Sequence, residues 1–170
     1  MGRLKNRLIA RLLTRFPALL ERMTGRIKPA VQVEGEPWTP FTGPLSKARV
    51  ALVTTAGVHL ASQKPFDMKD PDGDPTYRGI PSQSPRDAYT ITHDYYDHSD
   101  ADTDLNIVFP IDRLREMAEA GEIGSLATVN YGFMGHIDGP HIDTLVKKTA
   151  PEVAALLKGD GVDVVLLTPG

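Results

Sequence analysis

Val162-Asp163-Val164-Val165-Leu166-Leu167-Thr168-Pro169-Gly170 is the stretch that decides the fold. It reads as a buried parallel strand running into a turn: a short apolar run, half of it β-branched, closed by Pro-Gly. In an open α/β sheet, ligands bind just beyond the carboxyl ends of the strands. The sequence stops where such a site begins, so the expectation is a domain truncated at its C-terminus.

Upstream, residues 141–158 carry the strongest helical pattern, with Ile142, Leu145, Val146, Val153, Leu156 and Leu157 apolar. Pro151 marks a break or the first turn of a second helix. Residues 125–131 read as a strand, followed by a turn at 133–136. Pro110-Ile111-Asp112-Arg113-Leu114 opens a helix that Gly121 ends. Residues 107–109 and 88–92 read as extended, and 64–87, with five prolines, as a long irregular loop. Arg49-Val50-Ala51-Leu52-Val53-Thr54 is a second buried strand, entering the small-residue turn Thr55-Ala56-Gly57. Strands alternating with helices predict one α/β domain over residues 49–170, Rossmann-like or flavodoxin-like, with a mainly parallel sheet and flanking helices.

Residues 29–48, with Pro29, Pro37, Pro40 and Pro44, form an extended connector that Trp38 and Phe41 pin to the domain. Before it, residues 1–28 form a basic, amphipathic helical arm. Leu4, Leu8, Leu12, Leu19 and Met23 recur near helical spacing, and Pro17 interrupts them. Three readings stand for the arm: a docking helix, a membrane-surface helix, and a targeting peptide.

The net charge of −3 hides an asymmetry. Residues 1–28 hold eight Lys/Arg against Glu21 alone, and the remainder is acidic by ten charges. An acidic body makes a poor nucleic-acid binder. No apolar run approaches the roughly 18 residues needed to cross a bilayer. The absence of cysteine excludes disulfides, thiolate metal sites and a cysteine nucleophile within these residues.

Polar chemistry concentrates between His93 and Asn106, which hold five aspartates, two histidines and two tyrosines. His93, Asp97 and His98 have a spacing that suits a metal. The same stretch suits substrate binding, or a solvated loop whose aspartates form turns and caps. His59 and His136 each follow a strand by a few residues, so a parallel sheet brings them to one edge with His93 and Gly170.

Six segments together resemble the selenoprotein B family of glycine, sarcosine and betaine reductases and D-proline reductase. They are VALVTTAG at 50–57, DPTYRGIP at 74–81, HDYYDHSDADTDLN at 93–106, VFPIDRLREMAEAGEIG at 108–124, YGFMGHI at 131–137 and LLKGDGVDVVLLTPG at 156–170. The resemblance covers about residues 49–170. It implies a Sec-x-x-Cys or Cys-x-x-Cys motif immediately after Gly170, and hence a chain given without its nucleophile and inactive as it stands. A selenocysteine codon read as a stop, a deliberate truncation, or a natural cleavage that forms a pyruvoyl group would each account for the ending.

The resemblance further implies a cytoplasmic oxidoreductase. Its selenolate attacks the α-carbon of an amine activated on the pyruvoyl group of a partner subunit and breaks the C–N bond. A thiol or thioredoxin-type reductant regenerates it, and the chain works with a partner reductase subunit or as a homo-oligomer. No cofactor is expected in this chain itself, and no metal or nucleic acid. His93 is the candidate general acid. Thr54, Thr55, Gly57, Asp97, Asp104, Asn106, Met134, His136, Thr168 and Gly170 are the candidate substrate-binding residues. Two other classes stand beside this reading: a non-catalytic small-molecule-binding or assembly subunit, and a metal-dependent hydrolase using His93, Asp97 and His98. For the arm, a membrane-peripheral location is the expectation that accompanies its lipid reading.

Overall fold

The structure is a computed structural model that describes residues 2–15 and 39–170. The expected break at Pro17 and most of the connector, Trp38 included, lie outside the described residues. Two compact units are present, one of residues 1–42 with 94–97, the other of residues 43–93 with 98–170. In the first, helix α1 runs Gly2–Arg15.

The second unit is built on a mostly parallel sheet. Strand β1 (Arg49–Thr54) lies at its centre. On one side it pairs in parallel with β5 (Ser125–Leu126) and then β6 (Val129–Gly132); on the other it pairs in parallel with β7 (Val164–Thr168). The register joins Val50 to both Leu126 and Val164, and Thr54 to both Gly132 and Thr168. Beyond β6, strand β3 (Arg78–Pro81) adds antiparallel. Strands β2 (Val58–Leu60) and β4 (Tyr89–Ile91) form a separate antiparallel pair.

Alternation along β1 dictates the two layers. Ala51 joins Ala127, Tyr131, Phe133, Val153 and Leu157 in one buried cluster, with Val53 packed against it. Helix α5 (Ala150–Gly159), which supplies Val153 and Leu157, covers that face. Thr54 points the other way, and its hydroxyl donates to the Val108 carbonyl at 2.9 Å. The turn Leu105–Ile107 and helix α3 (Ile111–Glu119) therefore lie on the opposite face. α3 buries Ile111 and Leu114 and ends just before Gly121. Helices on both faces of a mainly parallel sheet are the expected α/β arrangement.

The predicted helix over 141–158 is a composite: α4 (His141–Thr144), a π-helical turn Leu145–Thr149, then α5. The wider turn precedes Pro151, which has no N–H to give and sits in the first turn of α5. The expected strand at 125–131 is interrupted instead of continuous. At the gap, Thr128 O accepts from Ser82 N at 3.0 Å, and the Asn130 side chain takes its place in the ladder by accepting from Leu52 N at 2.8 Å.

Other expectations are corrected. Residues 107–109 do not form a strand: Ile107 ends a 3-10 turn (Leu105–Ile107), and Val108 caps it in the right-handed helical region. The loop 64–87 contains β3, and a short helix α2 (Ser99–Thr103) lies within the acidic stretch. The deciding strand is parallel as read but not buried. Among the described residues β7 is an edge, with Val165 38%, Leu166 39% and Leu167 71% exposed.

His59 is a core residue of β2, 2% exposed. Its Nδ1 lies 2.8 Å from Leu60 O and its Nε2 2.8 Å from Thr92 Oγ1, and its ring meets Phe66 edge-on. Burial pushes the imidazole pKa below its ordinary value near 6.5; the Leu60 carbonyl opposes this and the Arg78 charge adds to it. The unfolded chain thus takes up a proton at a pH where folded His59 stays neutral. Stability from this group is complete above about pH 6.5 and is lost as pH falls below it toward the folded value. Melting temperature should fall between about pH 7 and about pH 5, and His59→Gln should flatten that part of the profile.

Candidate functional site

The carboxyl ends of β1, β6 and β7 meet at one edge of the sheet, and three chain segments close around that point. The first follows β1. Thr55 N donates to Thr168 O at 3.0 Å, and Ala56 bridges Met134 across from it. Gly57 spends both backbone groups, donating to Phe133 O and accepting from Thr92 N, each at 2.9 Å. Its φ of 74° and the Thr92 carbonyl, 2.5 Å from where a Cβ would stand, leave room for glycine alone. That exchange delivers His93, the next residue after Thr92, to the sheet edge.

The second segment follows β6. Met134 is buried and Gly135 is exposed. Gly135 N–H donates to His93 Nε2 at 3.2 Å. A backbone N–H can only donate, so Nε2 is the acceptor and the ring proton of neutral His93 sits on Nδ1. His93 is itself only 3% exposed.

The third segment follows β7. Thr168 Oγ1 donates to Val108 O at 2.7 Å, the same carbonyl that receives Thr54 Oγ1. One peptide oxygen thus ties two neighbouring strands to the turn before α3. Gly170 N–H then donates to Thr55 Oγ1 at 3.2 Å. A Cβ on Gly135 would stand 3.0 Å from Thr55 O, 3.1 Å from Gly170 O and 3.1 Å from His93 Nε2. These distances define a small cluster of backbone and imidazole groups at the strand ends.

The structure therefore brings together His93, Thr54, Thr55, Gly57, Met134, Thr168 and Gly170. Their contributions differ. Thr54 is fully buried, and its hydroxyl and that of Thr168 are committed to Val108, so both act on the site by holding it in place. Thr55, Gly135 and Gly170 are the exposed members.

The remaining candidates lie in other settings. His136 Nε2 donates to Pro71 O at 2.8 Å and pins the loop around Gly73. Asp104 and Asn106 bond each other at 2.9 Å, and Asn106 Oδ1 accepts from Asp112 N at 3.1 Å, capping α3. The Asn106 hydrogen bond is the main cause holding the Asp104 carboxyl below its ordinary range. Both residues shape the turn that ends at Val108, so they bear on Thr54 and Thr168 through that carbonyl. Asp97 belongs to the other unit, where it lies 3.8 Å from Arg11 Nε. His98 Nδ1 lies 2.8 Å from Asp102 Oδ2. Among the described residues, no group of three or more His, Cys, Asp or Glu is placed to hold a metal ion.

The sequence reading singles out Met134 and His136 and passes over Gly135 between them. It also passes over Val108, whose part is played by its backbone and leaves no trace in residue type. Clefts of about 500 Å³, around Arg78 and His141, and about 590 Å³, around Arg115 and Thr128, open elsewhere on this unit. Arg115 is already committed to Ser82 O, Ser84 O and Asp112, and His141 to Asp70.

A family model described as glycine/sarcosine/betaine reductase selenoprotein B (GRDB) matches residues 29–170. The D-proline reductase subunit gamma of Acetoanaerobium sticklandii is 43% identical over 133 residues, covering 78% of this chain and 53% of that protein. The glycine reductase complex component B subunit gamma of Carboxydothermus hydrogenoformans is 33% identical over 136 residues, 78% of this chain and 30% of that protein. The betaine reductase complex component B subunit beta of Peptoclostridium acidaminophilum is 30% identical over 133 residues, 73% and 28%. The chain spans about half the length of the first of these and under a third of the other two. No solved structure matches it.

Proposed function

Because the chain belongs to the glycine/sarcosine/betaine reductase selenoprotein B family, we propose that it is part of a cytoplasmic, selenol- or thiol-dependent reductase that cleaves a C–N bond in a small amine, working with a partner subunit. In this reading the residue that follows Gly170 in the longer polypeptide is selenocysteine or cysteine. That group supplies a low-pKa nucleophile for the substrate carbon, and a thiol reductant returns it to its reduced form.

The observation that carries the proposal is the convergence of Gly170, Gly135, Thr55 and His93 where β1, β6 and β7 end. A residue joined to Gly170 starts within that cluster. Thr55 fixes its approach through the Gly170 N–H. Thr54 and Thr168 anchor the strands beneath it. His93 is the proton donor to the departing amine through Nε2. Gly135 N–H must first release that nitrogen, which must then take up a proton, making the ring an imidazolium, before it can give that proton to the amine. Any pyruvoyl group lies on a partner subunit and is assigned no residue here.

Peptide mapping of the protein purified from its native host tests the reading. Selenocysteine or cysteine is expected directly after Gly170, and alkylation with iodoacetamide should abolish thiol-dependent turnover. A native polypeptide with neither residue there overturns it.

A further inference from the structure

Helix α1 is turned the opposite way from an ordinary surface helix. Leu4, Leu8, Ile9 and Leu12 fall on one side at positions i, i+4, i+5 and i+8, and they are 70%, 58%, 41% and 51% exposed. Ala10, on the other side, is 5% exposed. A helix that docks on its own protein buries the large apolar stripe and shows its small or polar side. This one shows the stripe.

The cations decide what the stripe meets. Lys5 precedes Leu8 by three residues and Ile9 by four; Arg15 follows Leu12 by three. Both are exposed and share the leucine side. The centre of a protein–protein seam is depleted of charge. Lys and Arg set among apolar side chains suit a lipid interface, where their stems lie along the acyl boundary and their heads reach the phosphates. The arm holds eight cations and one acid over residues 1–28, whereas the remainder is acidic by ten charges. An anionic surface therefore attracts the arm and repels the rest. No helix among the described residues is long and apolar enough to cross a membrane, so contact is in the plane of the interface.

We propose that α1 is a peripheral lipid-binding helix that inserts Leu4, Leu8, Ile9 and Leu12 into an anionic bilayer surface. This stands apart from the reductase reading and does not depend on it.

Vesicle flotation of the 170-residue chain tests it, with phosphatidylcholine vesicles either pure or carrying about a third phosphatidylglycerol. The chain should float with the anionic vesicles and not with the neutral ones. High salt, or the double substitution Leu8→Asp/Leu12→Asp, should each weaken binding about tenfold or more. Both leucines are exposed, so the variant should keep its circular dichroism spectrum. Absence of flotation, or flotation that the double variant retains, overturns the proposal. So does a dimer in light scattering that the double variant converts to a monomer without any vesicle binding, since a second copy would then cover the stripe.

Discussion

On the reductase reading proposed above, Gly170→Ala in the polypeptide purified from its native host is expected to lose roughly 100-fold in kcat/KM, because misplacing a reacting group by about an ångström has that order of effect. The added Cβ would stand 2.2 Å from Ala56 Cα and 2.5 Å from Ala56 Cβ. Ala56 is fully buried and bridged to Met134, so it does not yield. The segment after β7 must move instead, and in the proposed reading this carries the reacting residue off the Thr55–Gly135 cluster. The fold has little reason to change, because Gly170 itself is exposed. Steady-state kinetics beside a melting curve separates the two: lost turnover with an unchanged melting temperature is expected. A variant with undiminished turnover would break the link between this cluster and the chemistry.

Asn130→Leu is the substitution with the largest expected effect on stability. Asn130 is fully buried; its Oδ1 accepts from Leu52 N and its Nδ2 donates to Ser82 Oγ at 2.7 Å. Leucine is close in size but offers neither group. Leu52 N–H would then be left without an acceptor inside the sheet, which costs about 1–3 kcal/mol for each buried group orphaned. A loss of about 3 kcal/mol and a melting temperature lower by roughly 10 °C are expected, read by thermal or urea denaturation. A loss of a few tenths of a kcal/mol would show that another acceptor reaches Leu52.

Much of the architecture was legible because it is local. β1, α3 and β7 announce themselves through short apolar runs, helical spacing and glycine or proline punctuation. β3 escapes notice because an edge strand tolerates the Gly79 and Pro81 that argue against it in sequence. β4 shows in the sequence as the extended stretch 88–92, whereas β2, three residues long and formed by pairing with it, does not. Residues 107–109 look extended by composition, but the hydrogen bonds among Asp104, Asn106 and Asp112 accompany a 3-10 turn over Leu105–Ile107 that Val108 caps. The site's position follows from parallel topology, which gathers strand ends on one edge. Its inner workings do not: sequence cannot tell that two threonine hydroxyls are committed to one carbonyl, or that the His93 ring accepts a backbone N–H. Nor could it show that β7 lies at the margin, since a strand apolar on both sides reads as central.

That marginal strand has a consequence for handling the protein. Val164–Thr168 carries no charge, proline or bulge of the kind that usually blunts a free β edge. Such an edge pairs with whatever extended segment reaches it first, including its own copy in a neighbouring molecule. Encounter between molecules is second order. Protein concentration therefore bears on how long a solution of this 170-residue chain stays monodisperse.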